Sequence, residues 1–159
     1  MVESLKSNEE YKVLLNKAMR FCDIQDRSPL ELEQKLAFWG CRPEWMNPIL
    51  EELKAGSYLS EQRFAESFAR GKFRIKGWGR MKIMAALFRQ RIPSTMIHDA
   101  LSQIDEEEYR ETLIGIIVKK MKITSGDKRT RINKTATFAI GKGYESPLVF
   151  EVINELKID

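Results

Sequence analysis

A chain of 159 residues with 43% hydrophobic and 31% charged residues, net charge +4, holds enough apolar material for a core and excludes a disordered or fibrous protein. Its most apolar stretch, Leu113 to Val118, is too short to span a bilayer, and Met1-Val2-Glu3-Ser4-Leu5 lacks the basic and then apolar run of a signal peptide. A cytoplasmic protein without membrane contact is expected, with Cys22 and Cys41 as buried or half-buried thiols, since they have neither metal spacing nor the density of a disulfide scaffold.

In chain order, the first amphipathic segment runs from Glu10 to Cys22. Ser28-Pro29-Leu30-Glu31 then opens a second helix with a capping box and a proline in its first turn. A third follows, with Ile49, Leu50 and Leu53 on one face. The next set starts at Ser60 and runs to about Phe73. It turns at Gly79, the expected cap of a middle helix, and closes with Ile97, Ala100, Leu101 and Ile104 at i, i+3, i+4, i+7. The last set begins at Asp105, runs to about Lys122, crosses Ile123 to Thr130 as the loosest connection, and ends in a helix with Pro147 at its first position. Ser94 and Ser146 are expected as N-caps of the closing helices. No segment alternates at period two for long enough to be a strand.

These sets repeat. Offset by 51 residues, "LAFWGCRPEWMNPILEEL" (36–53) falls on "LFRQRIPSTMIHDALSQI" (87–104), bringing Leu36 onto Leu87, Cys41 onto Ile92, Leu50 onto Leu101 and Leu53 onto Ile104. A further offset of 52 brings Ile92 onto Tyr144, Ile97 onto Val149 and Leu101 onto Ile153. Apolar positions coincide while the residues between them are mostly polar, which predicts an all-α chain of three tandem three-helix units at 1–56, 57–104 and 105–159.

Charge is laid down in two blocks. From Ser67 to His98 there are eight basic residues and no acid, and from Lys119 to Lys142 eight against Asp127 alone. The candidate partner-binding or nucleic-acid-binding residues are Arg70, Lys72, Arg74, Lys76, Arg80, Lys82, Arg89 and Arg91 in the first block, with Trp78 among them. Lys128, Arg129, Arg131 and Lys134 stand in the second. A charge run is commonly a solvated helix face, but two blocks at matching positions point to a polyanionic or acidic partner. Trp78 fits either a base-stacking platform or a wedge between helices. Chemistry finds little support: His98 stands alone, and there is no phosphate loop, metal cluster or nucleophile elbow. The acids Asp105 to Glu108 suit a helix N-terminus. No enzyme, cofactor or metal is expected. The tryptophans are too irregularly placed for a tandem three-helix DNA reader of the Myb type.

"GSYLSEQRFAESFARGKFRIKGWGRMKIMAALFRQRI" (56–92) resembles the central signature of the RecX family: Gly56, Tyr58 and Leu59, then Arg63-Phe64-Ala65, a basic segment, Lys76-Gly77 and Gly79, then Ile83 and Leu87. Arg27-Ser28 with Glu31-Leu32 resembles the family's first unit, and Lys142-Gly143-Tyr144 its third. At Arg91 the family more often has glycine. The resemblance implies a curved, elongated, non-enzymatic array of three-helix repeats that binds the RecA filament, protein plus DNA. It implies inhibition of recombinase, ATPase and coprotease activities by a monomer. A module that binds single- or double-stranded DNA by itself, without sequence preference, is the alternative reading.

Overall fold

The computed structural model describes residues 2–157; Met1, Ile158 and Asp159, which the expected first and third units include, lie outside the described residues. The described chain is all-α. Its helices are α1 (Val2–Lys6), α2 (Glu9–Ile24), α3 (Pro29–Phe38), α4 (Pro43–Ala55), α5 (Glu61–Lys76), α6 (Arg80–Arg89), α7 (Ser94–Ser102), α8 (Glu106–Ile123), α9 (Lys128–Gly141) and α10 (Ser146–Leu156).

Helix starts follow local chemistry. Ser28 accepts from the Glu31 amide at 3.0 Å while Glu31 accepts from the Ser28 amide at 3.0 Å, so two orphan donors of α3 are satisfied reciprocally. Ser60, Asp105 and Asp127 cap α5, α8 and α9 through the amides of Arg63, Glu108 and Thr130. The expected caps at Ser94 and Ser146 are corrected by one position: Pro93 and Glu145 hold the cap conformation, and the serines are the first helical residues. Glu145 makes no capping bond because its carboxylate is committed elsewhere. The expected loose loop is also shorter than its sequence suggests. Only Thr124 to Asp127 separates α8 from α9, and Arg131 donates to the carbonyls of Thr124 (3.1 Å) and Met121 (3.0 Å), closing the end of α8.

Helices α2, α3 and α4 pack on one another, as do α5, α6 and α7, and α8, α9 and α10, while α1 lies against α2. The buried cores divide differently. Tyr11, Leu32, Leu36, Trp45, Ile49 and Leu53 belong to a core confined to the first set of helices. A second, continuous core runs from Phe64, Ile83 and Leu87 through Tyr109, Leu113 and Ile117 to Val149 and Ile153, so α5–α7 and α8–α10 share one interior. Tyr109 is the hinge pin of that shared core, with Phe73 at 5.7 Å on one side and Tyr144 at 5.0 Å on the other, centroid to centroid. Between α2–α4 and the rest the contacts are polar: Asp26 accepts from Arg63 (3.2 Å) and Ser67 (2.8 Å), and Ser28 donates to Gln90 (2.6 Å).

Candidate functional site

The first basic block occupies the last two turns of α5, the turn Gly77–Gly79 and all of α6. Helical residues four apart share a face, and this splits the block. Arg70 and Arg74 line a cleft with Glu66, Asp105 and Glu108, and Arg74 Nε lies 3.4 Å from Glu108. Lys72 and Lys76 line a different groove with Phe68 and Ile75, opposite Gln25, Glu31 and Gln90. The reading of this segment as cations without neighbouring acids therefore needs correction: Glu66 stands on α5 itself, and Asp105 and Glu108 come from the start of α8, far along the chain.

Gly77 ends α5 with φ +68°, a conformation in which a Cβ is disfavoured, and its amide donates to the Phe73 carbonyl at 2.9 Å. Trp78, half-buried, follows. The ammonium groups of Lys72 and Lys82 lie 4.9 and 4.5 Å from its ring centroid, and Phe68 meets it edge-on at 6.4 Å. The ring thus gathers two cations that the sequence separates by ten residues, within cation–π range.

Next in the chain the surface becomes a joint. The amides of Gly79 and Met81 donate to the carbonyls of Lys142 (2.8 Å) and Gly143 (2.9 Å), and the Tyr144 hydroxyl donates to the Gly77 carbonyl (3.1 Å). The Arg80 side chain, 19% exposed, reaches Glu145 at 3.0 Å and Glu106 at 2.7 Å, and its guanidinium stacks 3.9 Å from the centre of the Tyr109 ring. The Arg80 amide donates to the Tyr109 hydroxyl at 2.9 Å, and that hydroxyl donates to Glu145. Burial pulls the Arg80 guanidinium down, but the Glu145 and Glu106 hydrogen bonds outweigh it and hold the group above its ordinary value. Burial, then the Glu145 bond, pushes the Tyr109 hydroxyl well above the usual tyrosine range, so it serves as a permanent donor.

Of the remaining candidates, Arg91 pairs with Glu33 of α3 at 3.3 Å, and Arg131 donates to the carbonyls of Met121 in α8 and Thr124 just beyond it. Arg70, Lys72, Lys76, Lys82, Arg89, Lys128, Arg129 and Lys134 have no carboxylate at ion-pair distance among the described residues. The structure brings Lys72, Lys82 and Trp78 together and leaves Lys128, Arg129 and Lys134 exposed on α9. Sequence reasoning passed over Lys120, whose ammonium sits 4.4 Å from the Phe138 ring centroid. The pairing carries no local signal, because the two residues lie on different helices. Among the described residues no His, Cys, Asp and Glu cluster could hold a metal ion, and no helix is long and apolar enough to cross a membrane.

A family profile described as RecX, second three-helix domain, matches residues 60–101, the segment that carries Trp78 and the whole of the first basic block. The chain is 27% identical to a regulatory protein RecX of Prosthecochloris aestuarii over 150 residues, covering 94% of this chain and 97% of that protein. It is also 27% identical to one of Clostridium perfringens over 158 residues, covering 98% of this chain and 74% of the relative. The crystal structure of RecX from Lactobacillus salivarius superposes with a TM-score of 0.82 at 21% identity, over 92% of this chain and 96% of that one. A second crystal structure of a regulatory protein RecX gives a TM-score of 0.79 at 21% identity, over 92% of this chain and 78% of that one. At that identity the superpositions speak to the fold.

Proposed function

We propose that this chain, which belongs to the RecX family of regulatory proteins, binds the RecA filament and inhibits its recombinase, ATPase and coprotease activities, tempering DNA repair and the SOS response. It acts as a cytoplasmic monomer and by binding alone. The observation that carries this reading is the set of unpaired ammonium groups of Lys72, Lys76 and Lys82, two of them drawn together by Trp78. They sit beside a joint where Arg80, unlike them, is held by two carboxylates, Glu106 and Glu145. Cations with no carboxylate partner inside the protein are available to phosphate or to an acidic protein surface. Three units, 1–56, 57–104 and 105–159, engaging a filament at several points would add avidity.

The test is charge reversal of Lys72, Lys76 and Lys82 to glutamate, read as inhibition of DNA-dependent ATP hydrolysis by the recombinase. Inhibition is expected to disappear with the helical circular dichroism spectrum unchanged, because exposed cations contribute little to folding. Inhibition equal to the parent's would move the contact to Lys128, Arg129 and Lys134. The same unpaired cations favour a second reading, a DNA-binding module that acts without the recombinase. The two separate on concentration. A filament regulator inhibits at levels too low to coat the DNA, whereas a coating protein needs stoichiometric amounts and loses affinity steeply with salt.

A further inference from the structure

Ile24, Ile75 and Ile123 occupy one position in three different helices. Each follows by two residues the last buried side chain of its helix: Cys22 in α2, Phe73 in α5 and Met121 in α8. They are 77%, 81% and 72% exposed. A single exposed isoleucine on a soluble protein means nothing. Three at the same place, one per set of helices, are not explained by folding. They bury almost nothing, and a β-branched residue is a poorer helix former than the lysine or glutamine that the surface would accept.

Three residues from each isoleucine in the sequence stands a cation held on an aromatic ring. Near Ile24 the Arg27 guanidinium lies 3.7 Å from the Phe21 ring centroid. Lys72, one turn before Ile75, reaches Trp78 at 4.9 Å, and Lys120, one turn before Ile123, reaches Phe138 at 4.4 Å. Residues three apart share a helix face, and the surface agrees: Lys72 and Ile75 line one shallow groove, Lys120, Ile123 and Phe138 another. The rings differ in origin, yet α2, α5 and α8 each end with the same pairing of a bare aliphatic knob and a fixed cation.

We propose that these three knobs form a docking surface for successive identical protein subunits, each offering an apolar socket with carboxylates on its rim. The proposal rests on the filament-regulator reading and names the part of the filament that is touched. Repetition in the chain calls for repetition in the partner, and one contact per unit converts weak single contacts into avidity. Protein is favoured over a nucleic-acid strand because isoleucine has neither a π face nor a hydrogen-bonding group, and the neighbouring rings already hold cations. The electrostatics also rank the knobs. Ile75 is flanked by Arg74 and Lys76, and Lys122 precedes Ile123, whereas Asp23 precedes Ile24 and Asp26 follows it two residues on. Ile75 and Ile123 should therefore dominate against an acidic rim.

The experiment uses Ile24→Ser, Ile75→Ser and Ile123→Ser, singly and combined, in the full chain. Binding is measured to preformed recombinase filaments and, separately, to single-stranded DNA. Losing one buried isoleucine is expected to weaken filament binding about tenfold at Ile75 and Ile123, and less at Ile24, with losses that multiply. DNA affinity and the circular dichroism spectrum should stay at parental values. A combined variant that binds filaments as the parent does overturns the proposal while leaving the regulator reading intact. DNA affinity that falls in step with filament affinity overturns it in favour of a nucleic-acid contact. A parent chain that does not bind filaments overturns the regulator reading, and this proposal with it.

Discussion

Arg80 and Lys72 carry the same charge eight residues apart, and the fold uses them in opposite ways. Arg80 has a carboxylate on each side and a ring beneath it, so its charge is spent inside the protein. Lys72 has only the rings of Trp78 and Phe68, which attract an ammonium without neutralising it. Trp78 is therefore expected to matter to stability and to binding at once. Trp78→Ala should lower unfolding free energy by about 2 kcal/mol, below the cost of a fully buried aromatic because the ring is half-exposed. It should also weaken DNA binding, since Lys72 and Lys82 lose their common anchor. Chemical denaturation and a binding titration on the same variant check both, and unchanged stability would show that the ring is no wedge. Arg91 presents the opposite case. It sits at φ +60°, a conformation that favours glycine, and its pair with Glu33 is mostly solvent-exposed. Arg91→Gly removes a left-handed strain of about 1–2 kcal/mol and adds about 0.5–1 kcal/mol of backbone entropy. The exposed ion pair that goes with it is worth little. The net expectation is a small gain, near 0.5 kcal/mol, visible as a slightly raised denaturation midpoint.

At the scale of elements, the turn before α6 and the turn before α10 interlock. A Cβ on Gly79 would run into the backbone of Gly143 and Tyr144, and one on Gly143 into Lys82 and the Gly79 carbonyl. Neither clash falls on a flexible side-chain end, so the backbones approach this closely only with glycine at both positions. Gly79→Ala is expected to cost about 3 kcal/mol or more by forcing the two turns apart. The loss should appear first as faster hydrogen exchange at the Gly79 and Met81 amides, whose acceptors are the Lys142 and Gly143 carbonyls. Protection equal to the parent's would show that the joint tolerates the methyl. This joint explains what was legible in the sequence and what was not. Helices announce themselves through apolar spacing and local caps, so Ser28 with Glu31 and the Gly79 cap can be read directly, whereas α5, expected to stop at about Phe73, runs on to Lys76 and is ended by Gly77. Ser94 and Ser146 mislead because a serine next to a proline suits both the cap and the first helical turn; the cap conformation falls to Pro93 in one case and to Glu145, held by its tertiary bonds, in the other. The balancing of Arg74 and Arg80 is invisible locally, since Glu106, Glu108 and Glu145 arrive from other helices. The basic block reads as uniform in one dimension and is divided between two faces in three.

At the scale of the molecule, two kinds of seam join the helices. Between α5–α7 and α8–α10 the core is continuous and the glycine turns are locked. Between α2–α4 and α5–α7 the cores are separate, and the described bonds and ion pairs include Arg63 and Ser67 on Asp26, Ser28 on Gln90, Lys54 on Glu61, and Arg91 on Glu33. Ion pairs this exposed contribute at most about 1 kcal/mol each and are screened by salt, whereas a shared apolar interior is not. The first seam should therefore hold in concentrated salt and the second should loosen. Three repeated knobs on a chain with one stiff and one pliant seam suit a partner whose subunit spacing varies, because α2–α4 can adjust without breaking the joint at Arg80. Raising sodium chloride from about 0.05 to 0.5 M shortens the screening length several-fold. It is expected to increase protease cutting between α4 and α5, near Gly56 and Ser57, while Gly77 to Gly79 stays protected. Asp26→Ala should produce the same pattern at low salt, because it removes the acceptor of both Arg63 and Ser67. Cutting at Gly77 to Gly79 before Gly56 in either condition would reverse the order of the seams and defeat this division of the molecule.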